Sequence, residues 1–585
     1  MPEAEIGGRV EIKVDGAAIQ QTIQNSLLEV VIDQHAHLPH MFTIELDDPD
    51  LALLDSGPFN LTKPVEIVAK VQEEGRFTIT KTLIKGEITA LEPNFQEGRA
   101  AKLVVRGYDK SHRLYRETKS TAYLNIKDSD LASQIAGRAG LSTQVEATNT
   151  VYDHIYQDNQ SDLAFLMQRA WRIGYECFVD DGKLYFRKPP TSSAEVTLEW
   201  GKDLISFSPR VTLAEQVDEV IVKGWDIDNQ QAIIGQATRG NLYPKISEAK
   251  TGASWAGSFG QGKLVIVNQP VVSQAEANVL AKARLDERSG AFIDAEGIAE
   301  DRPDIRAGQI IKLDALGSRL SGDYLVTHAT HTYNIEKWRT NFAVRGTRTG
   351  LLAEQVTQQE PVQRWPGVVT AVVTNTNDPD KYGRVKIKYP WMADDAESYW
   401  ARIIGHGAGP TAGFFLLPDV GDEVLVAFEH GDINRPYILG GVWNKNGHKI
   451  PPEAAGAATG EIPLIRTWHS RKGHILAMYD NADKKIEIQT TDGHKIVCDD
   501  ANKVIQITTA GGHKFILDDQ GKSIKLTSSG GHKVTLDDNG RKVTVESSGD
   551  VEIKSTMNMK LQATGNLDLQ ANGIVTVKGS LIKLN

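Results

Sequence analysis

Histidine and cysteine are the side chains best suited to hold a metal ion or shuttle a proton, and in this 585-residue chain their spacing decides what they can do. His35-Ala36-His37 with His40 sets three imidazoles within six residues, a spacing at which zinc or iron can be chelated. The same segment reads as a strand, and a cluster of strand histidines is the simpler account. Cys177 and Cys498 are the only cysteines and lie far apart, so neither a disulfide framework nor a zinc ribbon is available. Gly257-Ser258-Phe259-Gly260-Gln261-Gly262-Lys263 fits phosphate-loop spacing through its lysine, but Leu264 lacks the hydroxyl that would hold magnesium and LVIVNQP continues as strand. A glycine-rich loop is the better reading. His474, His494, His513 and His532 each follow a glycine and share parity with nearby apolar residues. They either point toward a common axis, where rings of imidazoles bind ions, or cap the corners of strands. Both readings stay open on sequence alone.

Paired carboxylates can hydrolyse glycosides, and Asp499-Asp500, Asp518-Asp519 and Asp537-Asp538 are such pairs. An active site need occur only once, whereas these recur at a fixed beat, and aspartate suits a turn because its side chain satisfies nearby backbone N–H groups. The expectation is therefore no catalytic residue, no metal ligand, no cofactor and no enzyme.

The elements that carry these residues are repeats. Gly493-His494-Lys495, Gly512-His513-Lys514 and Gly531-His532-Lys533 recur every nineteen residues. After each comes one apolar pair (Ile496/Cys498, Phe515/Leu517, Val534/Leu536), an aspartate turn, then a second pair (Ile505/Ile507, Ile524/Leu526, Val543/Val545). Residues two apart on a strand share a face, so each repeat is two short strands and two corners. An earlier copy starts at Gly473-His474, with Leu476/Met478 and Ile486/Ile488. After Gly549 the beat shortens to about eight, in GDVEIKST, MNMKLQAT, GNLDLQAN and GIVTVKGS. An octad is one strand and one corner, too short to close a turn of a one-chain β-helix. Three copies wound together close it, with one strand per chain in each layer. At the ordinary strand spacing of about 4.8 Å the rod is on the order of 60 Å long.

Upstream, residues 1–185 read as mixed α and β, with strands in RVEIKV, PVEIVAKV and AKLVVRGYD and helices near 129–139 and 161–172. Asp128-Ser129-Asp130 is the expected N-cap cluster of the first helix. A second mixed segment spans 186–352, with a helix at 275–288, and 353–365 is a linker. Five short strands crowd 366–445, which suggests a small OB-type barrel. A linker at 446–470 leads to the repeats at 471–585. Composition limits the class: a formal net charge of -11 argues against broad nucleic-acid binding, even though OB folds often stack bases on aromatics such as Trp391 and Trp400. Packing between protomers is expected for those tryptophans instead. No apolar run approaches a membrane span and no signal-peptide core precedes the first strand, so synthesis in the cytoplasm is expected.

Three separated motifs in the barrel segment carry a family resemblance. Asp378-Pro379-Asp380-Lys381-Tyr382-Gly383-Arg384-Val385, then Tyr399-Trp400-Ala401-Arg402, then Gly421-Asp422-Glu423-Val424 with Gly431-Asp432 and Arg435-Pro436 resemble the OB domain of VgrG-like spike proteins. His40-Met41-Phe42-Thr43-Ile44-Glu45-Leu46, Gln160-Ser161-Asp162-Leu163 and Leu320-Ser321-Gly322-Asp323-Tyr324-Leu325 are similar to the hub domain of myophage baseplates. The GHK repeats and octads resemble most the spikes of extracellular contractile injection systems. Type VI secretion VgrG and tailed-phage spikes are the near alternatives, and a glycan-binding or glycan-cleaving β-helix protein is the alternative of another class.

The resemblance implies an α+β hub, an OB-fold barrel and a triple-stranded β-helix needle in a homotrimer. It implies a hexameric inner tube at the hub end, baseplate proteins around it, a PAAR-like tip protein at the C-terminal end and a target cell envelope to be pierced. Such a particle is released extracellularly or fired into a target cell. Only about twenty-five residues separate barrel from needle, so no wall-cleaving domain of the kind some phage spikes carry is expected there.

Overall fold

The computed structural model describes residues 6–73, 76–97, 100–191, 194–226, 231–240, 245–248, 250–271, 273–334, 337–346, 365, 367–444, 450–451 and 464–584. The chain divides into two compact units, Met1–Val442 and Trp443–Asn585. Both are mainly β, and the first adds helices to several sheets. Residues 353–364 of the expected linker 353–365 and most of 446–470 lie outside the described residues.

Strict alternation builds the first unit. Ile12, Val30, Ile32, Phe42, Ile44, Leu46 and Val105 are fully buried while their neighbours in sequence turn outward, as a sheet with one covered face requires. They belong to an eleven-stranded sheet that sequence alone does not assemble. Strand Leu27–His35 pairs antiparallel with Leu38–Asp47 on one side and with His328–Asn334 on the other, His35 lying opposite His328 and Val30 opposite Tyr333. Strands from both halves of the hub region thus share one hydrogen-bonded sheet.

Helices Asp128–Arg138 and Asp162–Arg172 cover the strands Glu176–Asp180 and Lys183–Arg187 through Leu131, Ile135, Leu166, Cys177 and Phe186. Ser161 caps the second helix, its Oγ accepting the Ala164 N–H at 3.3 Å. The first helix begins differently from expectation. Asp128 is already its first helical residue and Lys127 stands at the cap without a side-chain bond. The Asp128 carboxylate is buried and accepts from Arg169 Nε at 2.6 Å, so packing against the neighbouring helix has taken the group that the cap pattern assigned to the helix end. Helix Gln274–Gly290 starts at Ser273, whose Oγ accepts the Glu276 N–H at 3.2 Å. Arg172 binds Glu276 at 2.8 Å, and Arg284 donates to the Trp171 carbonyl at 3.0 Å. These buried contacts tie segment 1–185 to segment 186–352.

The five expected strands after residue 366 are present as Val369–Asn375, Lys386–Lys388, Arg402–Ile403, Glu423–Phe428 and Pro436–Gly441 in a single sheet. Asp378 organises its first long turn, accepting the Tyr382 N–H at 2.9 Å and Arg384 Nη2 at 2.7 Å. That guanidinium bond holds the Asp378 carboxyl down to about 2. The sheet docks on strand Val151–Ser161: Tyr156 is buried among Ala371, Ile387, Val424 and Ile438, and its N–H donates to Asn434 Oδ1 at 2.8 Å. Asn434 is aimed by Asp432, which accepts both its N–H and its Nδ2 at 3.0 Å. Asn434→Ala leaves the Tyr156 amide without its acceptor in this part-buried joint. The expected loss is about 1–3 kcal/mol, read as a lowered midpoint in denaturant melts followed by tryptophan fluorescence. An unchanged midpoint would mean that apolar contacts alone hold the joint.

The second unit is a nine-stranded antiparallel meander in which every strand pairs with its neighbours in sequence, from Ile465–His469 to Lys542–Glu546. Two strands and two corners per refrain are what the repeat predicts. The octads differ from expectation. Residues 551–584 form no strand and are exposed throughout, because an eight-residue rung has no partner strand within its own chain.

Candidate assembly surface

The register of the meander sorts its side chains into two faces. Leu476, Ile488, Ile496, Ile507, Phe515, Leu526, Val534 and Val545 stand directly opposite one another in one column. Met478, Ile486, Cys498, Ile505, Leu517, Ile524, Leu536 and Val543 form a second column on the same face. The opposite face carries Lys495, Asp499, Gln506, Lys514, Asp518, Lys525, Lys533, Thr535, Asp537 and Thr544, with few apolar exceptions such as Val497 and Ile516. From Leu476 to Val545 one face is therefore apolar, and among the described residues of the unit it stays largely open to solvent. Ile507 is 40% exposed and Val543 69%. A continuous apolar face of this length marks a surface built to be covered.

The corners explain the refrain. At the glycine corner the backbone turns at Gly473, Gly493, Gly512 and Gly531 with φ between 87° and 92°, a region that favours a residue without Cβ. A hydroxyl four residues before each histidine closes the turn. Ser470, Thr490, Thr509 and Ser528 accept the N–H of His474, His494, His513 and His532 at 3.0–3.1 Å. The histidines then reach to the next repeat. Nδ1 of His474, His494 and His513 accepts the N–H of Thr491, Ala510 and Ser529 at 3.3 Å, while His532 Nδ1 meets Ser547 Oγ at 2.7 Å. Corner capping is thus the role the structure gives these imidazoles within one chain. At the aspartate corner, Asp499, Asp518 and Asp537 accept the N–H of Asn502, Gly521 and Gly540 at 2.6–2.8 Å. The N–H of Asp500, Asp519 and Asp538 donates to the carbonyl of Lys484, Lys503 and Lys522 at 3.0 Å. The first aspartate of each pair caps its turn, which accounts for its recurrence, and the second bonds the repeat before it through its backbone N–H, a bond any residue but proline can make.

Near the end of the ladder a groove of about 680 Å³ opens between the sheet and the first octad, lined by Phe515, Leu526, Val534, Val545 and Val551. Beyond it the octads continue with Ile553, Met559, Leu561, Leu567, Leu569, Val575 and Val577 all exposed.

The other residues singled out by spacing have structural partners. Among the described residues no group of three or more His, Cys, Asp or Glu is arranged to hold a metal ion. His35 and His37 stack edge to face with ring centres 6.0 Å apart, and His328 lies 5.4 Å from His35. His40 is buried near Asp109 and Asp180 instead. Burial, reinforced for His35 by its imidazole neighbours, pushes His35 down to about 3 and His37 to about 4. Lys263 starts a strand, Lys263–Ile266, and its ammonium pairs with Glu219 at 2.8 Å. Trp391 stacks on Trp365 at 4.8 Å and on Tyr389 at 5.3 Å. These stacks lie within its own chain. Lys386 lies over Trp400 at 5.4 Å. No described helix is long and apolar enough to cross a membrane.

Comparison with known proteins agrees with the order of these parts. The family described as "Alg8 N-terminal domain" matches residues 7–334. The family described as "Type VI secretion system/phage-baseplate injector OB domain" matches residues 369–443. The type VI secretion system spike protein VgrG5 of Pseudomonas aeruginosa is 37% identical over 103 residues, which cover 16% of this chain and 13% of that protein. Spike protein VgrG1b of the same organism is 36% identical over 156 residues, 23% of this chain and 21% of that protein. The chain thus spans less than a quarter of the length of these relatives. A chain of the Francisella PdpA–VgrG complex in its lidded form aligns over 90% of this chain and 80% of its own length, with a TM-score of 0.47 and 10% identity.

Proposed function

The chain belongs to the Alg8 N-terminal domain family, matched over more than half its length, and from that premise we propose that it is the structural hub and spike of a contractile injection machine. Residues 1–185 and 186–352 form the hub that sits on a hexameric tube amid baseplate proteins. Residues 366–445 close as an OB barrel, and 471–585 of three copies wind into a β-prism needle that carries a PAAR-like tip and pierces the target envelope when a sheath contracts. Its delivery setting is that of an extracellular particle. The work is mechanical and needs no catalytic group.

The single observation that carries this reading is the ladder's open apolar face, followed by octads with no partner strand in their own chain. Unpaired backbone groups and exposed apolar columns are costly in water, and a three-copy rod removes both at once. Three copies, each with two hub segments, also present pseudo-sixfold symmetry to a sixfold ring. The OB-domain match at 369–443 and the VgrG spike relatives support the same assignment. Light scattering of the full chain tests it: the expected mass is three times that of the 64.2-kDa chain. A one-chain mass at micromolar concentration overturns the needle.

A further inference from the structure

The two edges of the ladder are chemically unlike, and the difference repeats with the refrain. Each strand that follows a glycine corner reads His-x-apolar-x-apolar-x-Asp on the apolar face: His494-Ile496-Cys498-Asp500, His513-Phe515-Leu517-Asp519 and His532-Val534-Leu536-Asp538. Residues two apart keep to one face, so histidine stands at one edge of that face and aspartate at the other. The strands between them read Ile505-Ile507-Thr509, Ile524-Leu526-Ser528 and Val543-Val545-Ser547 in the same alternation, each preceded at its corner by a cation, Lys503, Lys522 or Arg541, with left-handed backbone. One edge is a column of imidazoles and hydroxyls. The other is a column of carboxylates and cations.

We infer that these edges meet between copies, the imidazole column of one chain lying against the carboxylate column of the next, so that three head-to-tail seams close the rod. The inference rests on the three-copy reading above and specifies which atoms join the copies. All three refrain strands run in the same direction, because strand direction alternates along the meander. In a threefold ring the start of each such strand faces the end of its neighbour's, which is the heterologous, closing arrangement.

The histidines are prepared for that contact. Nδ1 of His494 and His513 already accepts a backbone N–H from the next repeat, which fixes the neutral tautomer with its proton on Nε2. Nε2–H is then a donor at an exposed corner, and a carboxylate is its natural acceptor. The corresponding hydroxyls face Lys503, Lys522 and Arg541 across the same seam. The rank below differs in an informative way: Asp480 is joined to Arg466 of its own chain, so His474 and Asp480 are left out of the pairing.

The test exploits the width of the ladder. His513 and Asp519 lie six residues apart on an extended strand, roughly 20 Å, far beyond the ~7 Å limit for Cα atoms joined by a disulfide. In a Cys498→Ala background, His513→Cys with Asp519→Cys forms no bond within a chain. Mild oxidation is expected to convert most of the protein into a covalent trimer on a non-reducing gel, while either substitution alone gives no crosslinked species. Dimers from a single substitution would mean that like edges meet, and would overturn the seam. So would a double variant that stays uncrosslinked while the unsubstituted chain keeps its three-chain mass. A one-chain mass for the unsubstituted protein instead removes the three-copy reading itself.

A second measurement does not depend on introduced thiols. Asp500→Asn, Asp519→Asn and Asp538→Asn together are expected to lower the denaturant midpoint of trimer dissociation. In a His494→Gln, His513→Gln, His532→Gln background they lower it no further. Additive shifts would overturn the pairing.

Discussion

Ile507→Asp abolishes assembly of the second unit while leaving the first unit folded. Ile507 lies directly opposite Ile496 on one side and Phe515 on the other, in the middle of an apolar column. In a threefold rod the substitution introduces three carboxylates at one level of a closed interior. Each loses the burial of a large aliphatic side chain, about 1.5–3 kcal/mol, and adds the cost of an unpaired buried charge, several kcal/mol more. The sum per rod exceeds the whole stability of an ordinary domain, about 5–15 kcal/mol. Light scattering should therefore report one chain instead of three. Gln506→Asp, one residue away on the polar face, supplies the control and should leave the mass at three chains. A three-chain mass for Ile507→Asp would show that the columns do not face the axis.

Acid should weaken the first unit over the range in which unfolded histidines take up protons. His35, His37 and His331 are held down to about 3, 4 and 3, chiefly by burial. In the unfolded chain each returns to an ordinary value near 6.5. Below that value the unfolded chain binds protons that the folded chain refuses, so stability is complete above about pH 6.5 and falls as pH drops toward the folded values. One fully sealed histidine costs about 1.4 kcal/mol per pH unit over that span. His331 is sealed, with Nδ1 bonded to Thr340 Oγ1 at 2.9 Å, whereas His35 and His37 keep some solvent and contribute less. Glu176, raised to about 7 by burial against the pull of Arg187, works in the opposite direction between pH 7 and its ordinary value. Over pH 6.5 to 5 the gain at Glu176 roughly offsets the loss at His331, so the net expectation is a loss of about 1–3 kcal/mol, carried by His35 and His37. Denaturant melts at half-unit pH steps measure it, and His331→Gln should flatten the slope whatever it does to the stability itself. A slope unchanged in that variant would refute the assignment.

Local patterns made the second unit legible. Alternation of period two, a glycine before each repeat histidine and an aspartate pair after every second strand fix strands, corners and register together, because every pairing joins neighbours in sequence. The hydroxyls at Thr490, Thr509 and Ser528 escaped notice. Serine and threonine are ordinary loop residues, and only the closed turn reveals the bond to the histidine amide. The eleven-stranded sheet was hidden for a different reason. Its central pairing joins His328–Asn334 to Leu27–His35 across about three hundred residues, and no local period encodes a partner that distant. Asp128 shows propensity yielding to packing: a cap pattern is worth about 1 kcal/mol, less than leaving Arg169 buried without its carboxylate. The octads show the limit of a single chain, since their strand period is plain in sequence yet residues 551–584 form no strand, and the proposed three-copy rod is what would supply their partners.

The meander that precedes those octads gives formation of the rod an order in time. Each rung pairs with the rung made just before it, so closing it restrains only a handful of corner residues and costs little loop entropy. The ladder is thus a unimolecular, low-contact-order element that takes shape as each chain emerges. The octads have no such local route, and in the proposed three-copy rod they wait for two other chains. On that reading the short beat acts as a checkpoint on copy number, zipping shut only after three finished ladders have come into register.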